Sequence, residues 1–248
     1  MKLKKSTLFY YSLAEMPINI ALFPILVFIP KFYTGEMGVP LALAANIILA
    51  VRIFDVFTDP VVGYINDRTN TKWGRRRPWI AISTPLLMVS IYMLFIPPEG
   101  AGALHLFLWM FLLSIGTTML IIPYYAWGAE LSPDYNERSR ITGWRSISGV
   151  VGSLSAQLIP TIALVFFGLG GSTNVLYIVG IASVIIMPIC VFLTVLKVPE
   201  SKDYVQSNIS PIKGFKIMLE NSPFKSCLLY TSDAADEGLG VDLGGRRI

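Results

Sequence analysis

The feature that most restricts this chain is a series of six apolar blocks, each close to the 17–25 residues a helix needs to cross the hydrocarbon layer of a bilayer. They run Leu8–Phe32, Leu41–Tyr64, Trp79–Ile96, Ala103–Trp127, Ile147–Leu169 and Val175–Leu196, with polar or Gly/Pro-rich connections between them. In lipid a segment must satisfy its own backbone polar groups, which leaves helices and closed barrels, and the period-2 alternation of barrel strands is absent. The blocks therefore predict an all-α integral membrane protein with six transmembrane helices and the lipid bilayer as its partner. Composition agrees: 54% of the 248 residues are hydrophobic, 15% are charged and the mean hydropathy is +0.61, far from the balance of a soluble domain.

Lys2, Lys4 and Lys5 precede a stretch too long for a signal-peptide core, with no small-residue cleavage pattern, so the first block is expected to remain as a span. Basic residues also cluster at Arg68–Arg77, Arg138–Arg145 and Lys197–Lys225, all on one side of a six-span layout, whereas the other side has Lys31. Positive charge marks the cytoplasmic face, which predicts a multi-pass protein of the cell inner (plasma) membrane with its N-terminus in the cytoplasm. That topology accounts for the net charge of +4, so the basic run Arg75–Arg77 is no argument for nucleic-acid binding. The two cysteines, Cys190 and Cys227, have no disulfide or metal-type spacing. Neither a nucleophile–base pair nor a metal cluster is legible, so no enzyme and no cofactor is expected.

Charge within a span costs roughly 2.5–3.5 kcal/mol per residue on insertion scales and usually marks an inward, functional position. The second block holds Arg52, Asp55 and Asp59, whose spacing of three and four places them on one helical face. Two carboxylates one turn apart supply hard oxygen ligands for a small cation or an acceptor pair for a proton, and Arg52 can neutralise them when the site is empty. Pro60 follows and is expected to open the helix locally, freeing carbonyls beside the acids. The alternative is an ion pair between Arg52 and one aspartate that only locks helices, which leaves the second aspartate without a role.

The first block carries a polar stripe, Tyr11, Glu15 and Asn19, interrupted by Pro17 and expected to point at a cavity, although Asn19 also suits a helix–helix bond and Glu15 an interfacial place. The fourth block places Ser114, Thr118 and Tyr125 on one face, with Pro123 breaking the run and Trp127 near its end. Trp127 suits either stacking on a sugar ring or an interfacial belt. Arg145, at the mouth of the fifth block, suits either a cavity or the basic face. His105 lies at the outer end of the fourth block, where an interfacial role is expected. Gly149, Gly152, Ser153, Ser155 and Ala156 predict close helix packing in the fifth.

The loop GYINDRTNTKWGRRRPW, from Gly63 to Trp79, resembles the G-x-x-x-D-R…G-R-R signature of major facilitator transporters. Together with DVFTDP before it and IPYYAWGAELSPDYNERSRITGWR after the fourth block, the sequence from about Leu8 to Lys225 is similar to the glycoside–pentoside–hexuronide:cation symporters, the family of melibiose permease. The resemblance implies the N-terminal half of a major facilitator fold, working with a second six-helix half by alternating access around a midplane site. It implies cation-coupled symport of a sugar or glycoside, with Na+ or H+ as coupling ion. Asp55 and Asp59 match the family's cation site, helped by Thr118; Thr58 stands where melibiose permease often has Asn. The family's two sugar-site acids correspond to Asn19 and Ile121, so both are missing, while an aromatic and an arginine remain at Tyr125 and Arg145. Asn19, Tyr125, Arg145 and Trp127 are therefore the expected substrate contacts. Arg52, Asp67, Arg68, Arg75, Arg76, Glu137 and Arg138 are the expected charge network of a cytoplasmic gate. Non-sugar solutes and lysolipids are the alternative cargo, and a third reading is a fragment with no transport of its own.

The expected domains are a six-helix bundle over 1–197, the start of a central cytoplasmic loop over 198–226, and a stretch of different character over 227–248. Read back into codons, Cys227–Glu237 fits a transposase-type library adapter and Gly240–Ile248 a second adapter element, so this last stretch is expected to be translated adapter. A disordered Gly/Asp-rich C-terminus is the alternative. The first expectation makes Lys197–Lys225 the central loop of a longer protein.

Overall fold

The computed structural model describes residues 2–168, 171–200, 214, 217, 220–227 and 230. Residues 1–204 form one compact unit and 205–248 a second. In the second, the described positions include a short helix over 222–227. The expected adapter stretch lies almost wholly outside the described residues.

The first unit contains α1 (Lys5–Ser12), α2 (Glu15–Val27), α3 (Ile29–Gly35), α4 (Leu41–Arg68), α5 (Arg77–Phe95), α6 (Ala103–Glu130), α7 (Tyr135–Phe167) and α8 (Ser172–Lys197), with no strand among the described residues. Among the described residues six spans are long and apolar enough to cross a membrane, the first being α1 and α2 together. The first block is thus broken where one helix was expected. Pro17 has no N–H for the carbonyl of Leu13, which is met instead by the N–H of Met16 at 3.3 Å, and the chain bends between Ser12 and Glu15. By contrast, α4 runs unbroken through Pro60, so the expected opening there is not a break. The fifth span begins at Tyr135 rather than near Ile147. Asp134 caps it by accepting a hydrogen bond from the Glu137 amide at 3.1 Å, and Gly168 ends it in the left-handed region.

α5 packs along α6 and α8, α2 along α7, and α4 along α6. Leu87, Ile91, Leu113, Leu120 and Met187 fill the space between α5, α6 and α8, close to Ile18 and Ala21 of α2. At one end of the bundle the N-terminal segment, the α4–α5 loop, the α6–α7 connection and the exit from α8 come together. At the other end, the Tyr33 hydroxyl donates to the carbonyl of Leu94 at 3.3 Å and the His105 ring meets the carbonyl of Met93 at 2.9 Å.

The small residues of α7 do what their pattern predicts. A Cβ on Gly152 would fall on the main-chain carbonyl of Met16, and one on Gly149 would press on the side chain of Asn19 at 3.2 Å. Backbone cannot yield as a side-chain tip can. Gly152→Ala is therefore expected to destabilise the fold by about 1–3 kcal/mol. Gly143→Ala, in open space on the same helix, should be neutral or stabilising, since alanine is the better helix former. Thermal unfolding in detergent reads the difference.

Candidate functional site

α4 and α6 run in the same direction and meet in register. The Ser114 hydroxyl donates to the Asp55 carboxylate, and one turn on, the Thr118 hydroxyl donates to Asp59 at 2.8 Å. Carboxylates four residues apart on one helix face hydroxyls four residues apart on the other, which gives a two-rung ladder of oxygen atoms. The ladder borders an open cavity of about 230 Å³ whose other walls include Leu22, Ile25, Ile121 and Ile122. Arg52 lies 3.4 Å from Asp55, with its own side chain 64% exposed, so this ion pair is not a buried lock. Hydroxyls and carboxylates on an otherwise apolar wall suit a small hard cation or a proton; among the described residues there is no cluster of three or more His, Cys, Asp or Glu.

Three placements differ from expectation here. Thr58 turns its hydroxyl back to the carbonyl of Asp55 at 3.5 Å and does not line the cavity. Ser114, on the predicted polar face of α6 but outside the expected cation set, takes the rung beside Asp55. Arg52 belongs to this cavity rather than to the charge network at the helix ends.

A second polar group lies further along α2 and α6. Tyr125 donates to one oxygen of Glu15 at 3.1 Å, and the Arg145 guanidinium lies over the Tyr125 ring, 3.9 Å from its centre. Tyr11 and Tyr124 fix this region from behind. Their rings stack with centres 4.7 Å apart, and each hydroxyl donates to the other's main-chain carbonyl, at 3.0 and 2.8 Å. Asn19 donates to the carbonyl of Glu15 at 2.9 Å and packs against Gly149 and Gly152, so its amide is engaged in the α2–α7 contact. Trp127 does not join this group. It is fully buried, donates to the carbonyl of Pro199 at 3.0 Å and lies under Arg77.

The charge network gathers at the end where the basic loops meet. Arg76, only 5% exposed, pairs with Asp67 at 2.8 Å and Glu130 at 2.7 Å, and bonds Asn66. Arg75 joins Glu130 as well. Glu200 accepts from the backbone amides of Arg75 and Arg76, both at 2.7 Å, and so caps the start of α5; Gly74, at φ +120°, leaves room for its carboxylate. Arg77 completes the clamp through the carbonyl of Val198 at 2.7 Å. Asp67, Arg75 and Arg76 therefore meet as expected, but the other members go elsewhere. Arg68 folds over the ring of Tyr64, Arg138 donates to the carbonyl of Ser132 at 3.0 Å, and Glu137 holds Arg140 at 2.6 Å and the amide of Leu3 at 3.1 Å. Glu130 and Glu200 were the missing partners. Their signal was available: they are acids set among the arginines of one face, and a buried guanidinium needs an anion.

An all-helical bundle with six spans among the described residues, a carboxylate ladder on an open wall between α4 and α6 and an arginine clamp at one end defines a multi-pass membrane protein of the major facilitator kind, here its N-terminal half. The sequence profile of the family described as MFS/sugar transport protein matches residues 10–235, and the chain belongs to that family, within the glycoside–pentoside–hexuronide:cation symporter group. The isoprimeverose transporter of Lactiplantibacillus pentosus is 29% identical over 229 residues, which cover 87% of this chain and 47% of that protein. A glucuronide carrier protein homolog of Escherichia coli is 29% identical over 57% of this chain and 32% of its own length. The sodium-dependent lysophosphatidylcholine symporter 1 of Mus musculus is 34% identical over 51% of this chain and 26% of its own length. The chain spans less than half the length of each.

Loss of Glu130 removes the carboxylate that Arg75 and the buried Arg76 share. Glu130→Gln is expected to cost on the order of 2–3 kcal/mol. Asp67→Asn, at a carboxylate 55% exposed, should cost about 1 kcal/mol or less. Comparing the two melting shifts in detergent tests the ranking.

Proposed function

We propose that this chain forms the N-terminal half of a secondary active transporter that couples the movement of Na+ or H+ to the uptake of a sugar or glycoside. The single observation that carries the reading is the two-rung ladder of Asp55–Ser114 and Asp59–Thr118 beside an open cavity. The ion takes the place of Arg52 as the positive partner of the two carboxylates, with the hydroxyl oxygens of Ser114 and Thr118 turned to it. Once their charge is offset, α4 and α6 no longer need Arg52 near Asp55, and the helices can move relative to a second half. Asp55 and Asp59 serve as cation ligands with Thr118 and Ser114 beside them, whereas Thr58 acts only through the main chain of Asp55. Cargo occupies the space over Tyr125 and Arg145. The clamp of Asp67, Arg75, Arg76, Glu130 and Glu200 holds the cytoplasmic ends of the helices in one arrangement.

The spans α4 and α7 are the least enclosed, 17% and 22% buried against 39–56% for the others, and both expose apolar rows such as Phe54, Phe57 and Val61 or Ile147, Val150 and Leu154. Those faces suit lipid and the second half of a pathway. A non-sugar cargo is the second reading. It is favoured by Ile121 and by Asn19, whose amide is engaged within the bundle, where relatives of the melibiose permease kind place acids, and by the likeness to a lysophosphatidylcholine symporter.

In the intact transporter, Asp55→Cys or Asp59→Cys should abolish ion-stimulated uptake while the protein still inserts; sodium or proton dependence that survives either change contradicts the assignment. Thr118→Ala should leave transport in place but raise the half-activating cation concentration by about three- to ten-fold, the loss of one hydrogen-bonding oxygen. Orientation is open to a separate measurement. A cysteine at Thr71 should react with an impermeant maleimide only in inside-out vesicles, and one at Gly100 only in right-side-out vesicles.

A further inference from the structure

Glu15 is 8% exposed, and only one of its oxygens is spent. Oε1 accepts from Tyr125, while Oε2 is buried with no hydrogen-bond partner. A buried carboxylate oxygen left unmet is costly, so it is kept where something else meets it. The position has two further properties. Glu15 is seven residues before Leu22 on α2, and Tyr125 is seven after Thr118 on α6, so both lie on the cavity-lining faces, about 10 Å along the helices from the cation ladder. The cover over Glu15 is thin, since Tyr125 is 38% exposed and Arg145 is half-buried.

We propose that Glu15 is the carboxylate that binds the cargo, and that it selects a neutral polyhydroxylated solute over an anionic one. The proposal rests on the transport reading above and deepens it. A hydroxyl is both donor and acceptor: it can give its hydrogen to Glu15 Oε2 and accept from Arg145, while the flat face of a sugar ring lies against Tyr125. An anionic solute would gain from Arg145 but would set its charge against Glu15. An apolar tail has nothing to offer the unmet oxygen. Asn19, one turn away, spends one amide N–H on the Glu15 carbonyl and, being neutral, offers no charge-assisted bond to a hydroxyl. No aspartate or glutamate of α6 borders the cavity; Ile121 and Ile122 stand there.

The test uses the intact transporter in proteoliposomes, with radiolabelled isoprimeverose as neutral probe, methyl glucuronide as anionic probe and lysophosphatidylcholine as amphipathic probe. Glu15→Gln should raise KM for isoprimeverose about ten-fold or more, as expected when a charge-assisted hydrogen bond is weakened, and should make methyl glucuronide a better competitor. Stimulation by sodium or protons should persist. Should Glu15→Gln fail to reach the membrane, Glu15→Asp replaces it, and a KM between wild type and ten-fold is expected because the charge remains but is drawn back. Unchanged KM with ion stimulation intact overturns the role of Glu15 alone. So does a wild type that carries methyl glucuronide or lysophosphatidylcholine in preference to isoprimeverose. If uptake of every probe is indifferent to sodium and protons, the transport reading itself fails instead.

Discussion

An ionisable side chain inside an apolar bundle must find a partner, change its protonation or recruit a ligand, because the medium around it screens little. Nearly every distinctive feature of this chain follows from how that demand is met. At one end of the bundle it is met by paired charges. Arg76 is enclosed by Asp67, Asn66 and Glu130, Arg75 shares Glu130, and Glu200 turns back from α8 to the amides at the start of α5. Four segments distant in sequence are tied by these contacts, so the spans α4, α5, α6 and α8 are fixed relative to one another at that end.

Along the cavity wall, where Asp59 is exposed, and at Glu15 behind Tyr125, the demand is met only in part. Asp55 and Asp59 have one hydroxyl each and a largely exposed arginine, on the wall of a cavity. Glu15 has one tyrosine for two oxygens. Guanidinium groups paired with carboxylates lend rigidity, while carboxylates met only by neutral donors beside a cavity can take a cation or a solute. The contrast between the clamp and the interior is therefore a physical division of labour, with the helix ends held and the interior left able to accept ligands.

The six spans were readable from the sequence because length and apolarity are one-dimensional properties, and so was the pair Asp55 and Asp59, because i, i+4 spacing on a helix fixes a shared face. The break in the first span was half legible: Pro17 was noticed, but the bend falls four residues earlier, at the carbonyl that the proline leaves without a donor. The beginning of the fifth span was missed because Tyr135–Ser146 is polar, and hydropathy does not see a helix that projects past the apolar layer under its Asp134 cap. Partner choice was least legible. Trp127 sits at the end of a helix whose other face carries Thr118 and Tyr125, yet its indole serves Pro199, a residue beyond the last span. Only packing between segments distant in sequence decides such a contact.

The place of an acid on the first span matters as much as its charge. A carboxylate at position 19 would face the small-residue seam of α7, where Gly149 and Gly152 admit α2 at close range. At position 15, one turn nearer the bend, the backbone has already turned, and Tyr125 and Arg145 supply a donor and a positive charge. The bend that Pro17 imposes on the first span therefore has a chemical consequence. It sets the one acid of that span where it can be half satisfied from α6 and α7, rather than fully exposed or fully matched.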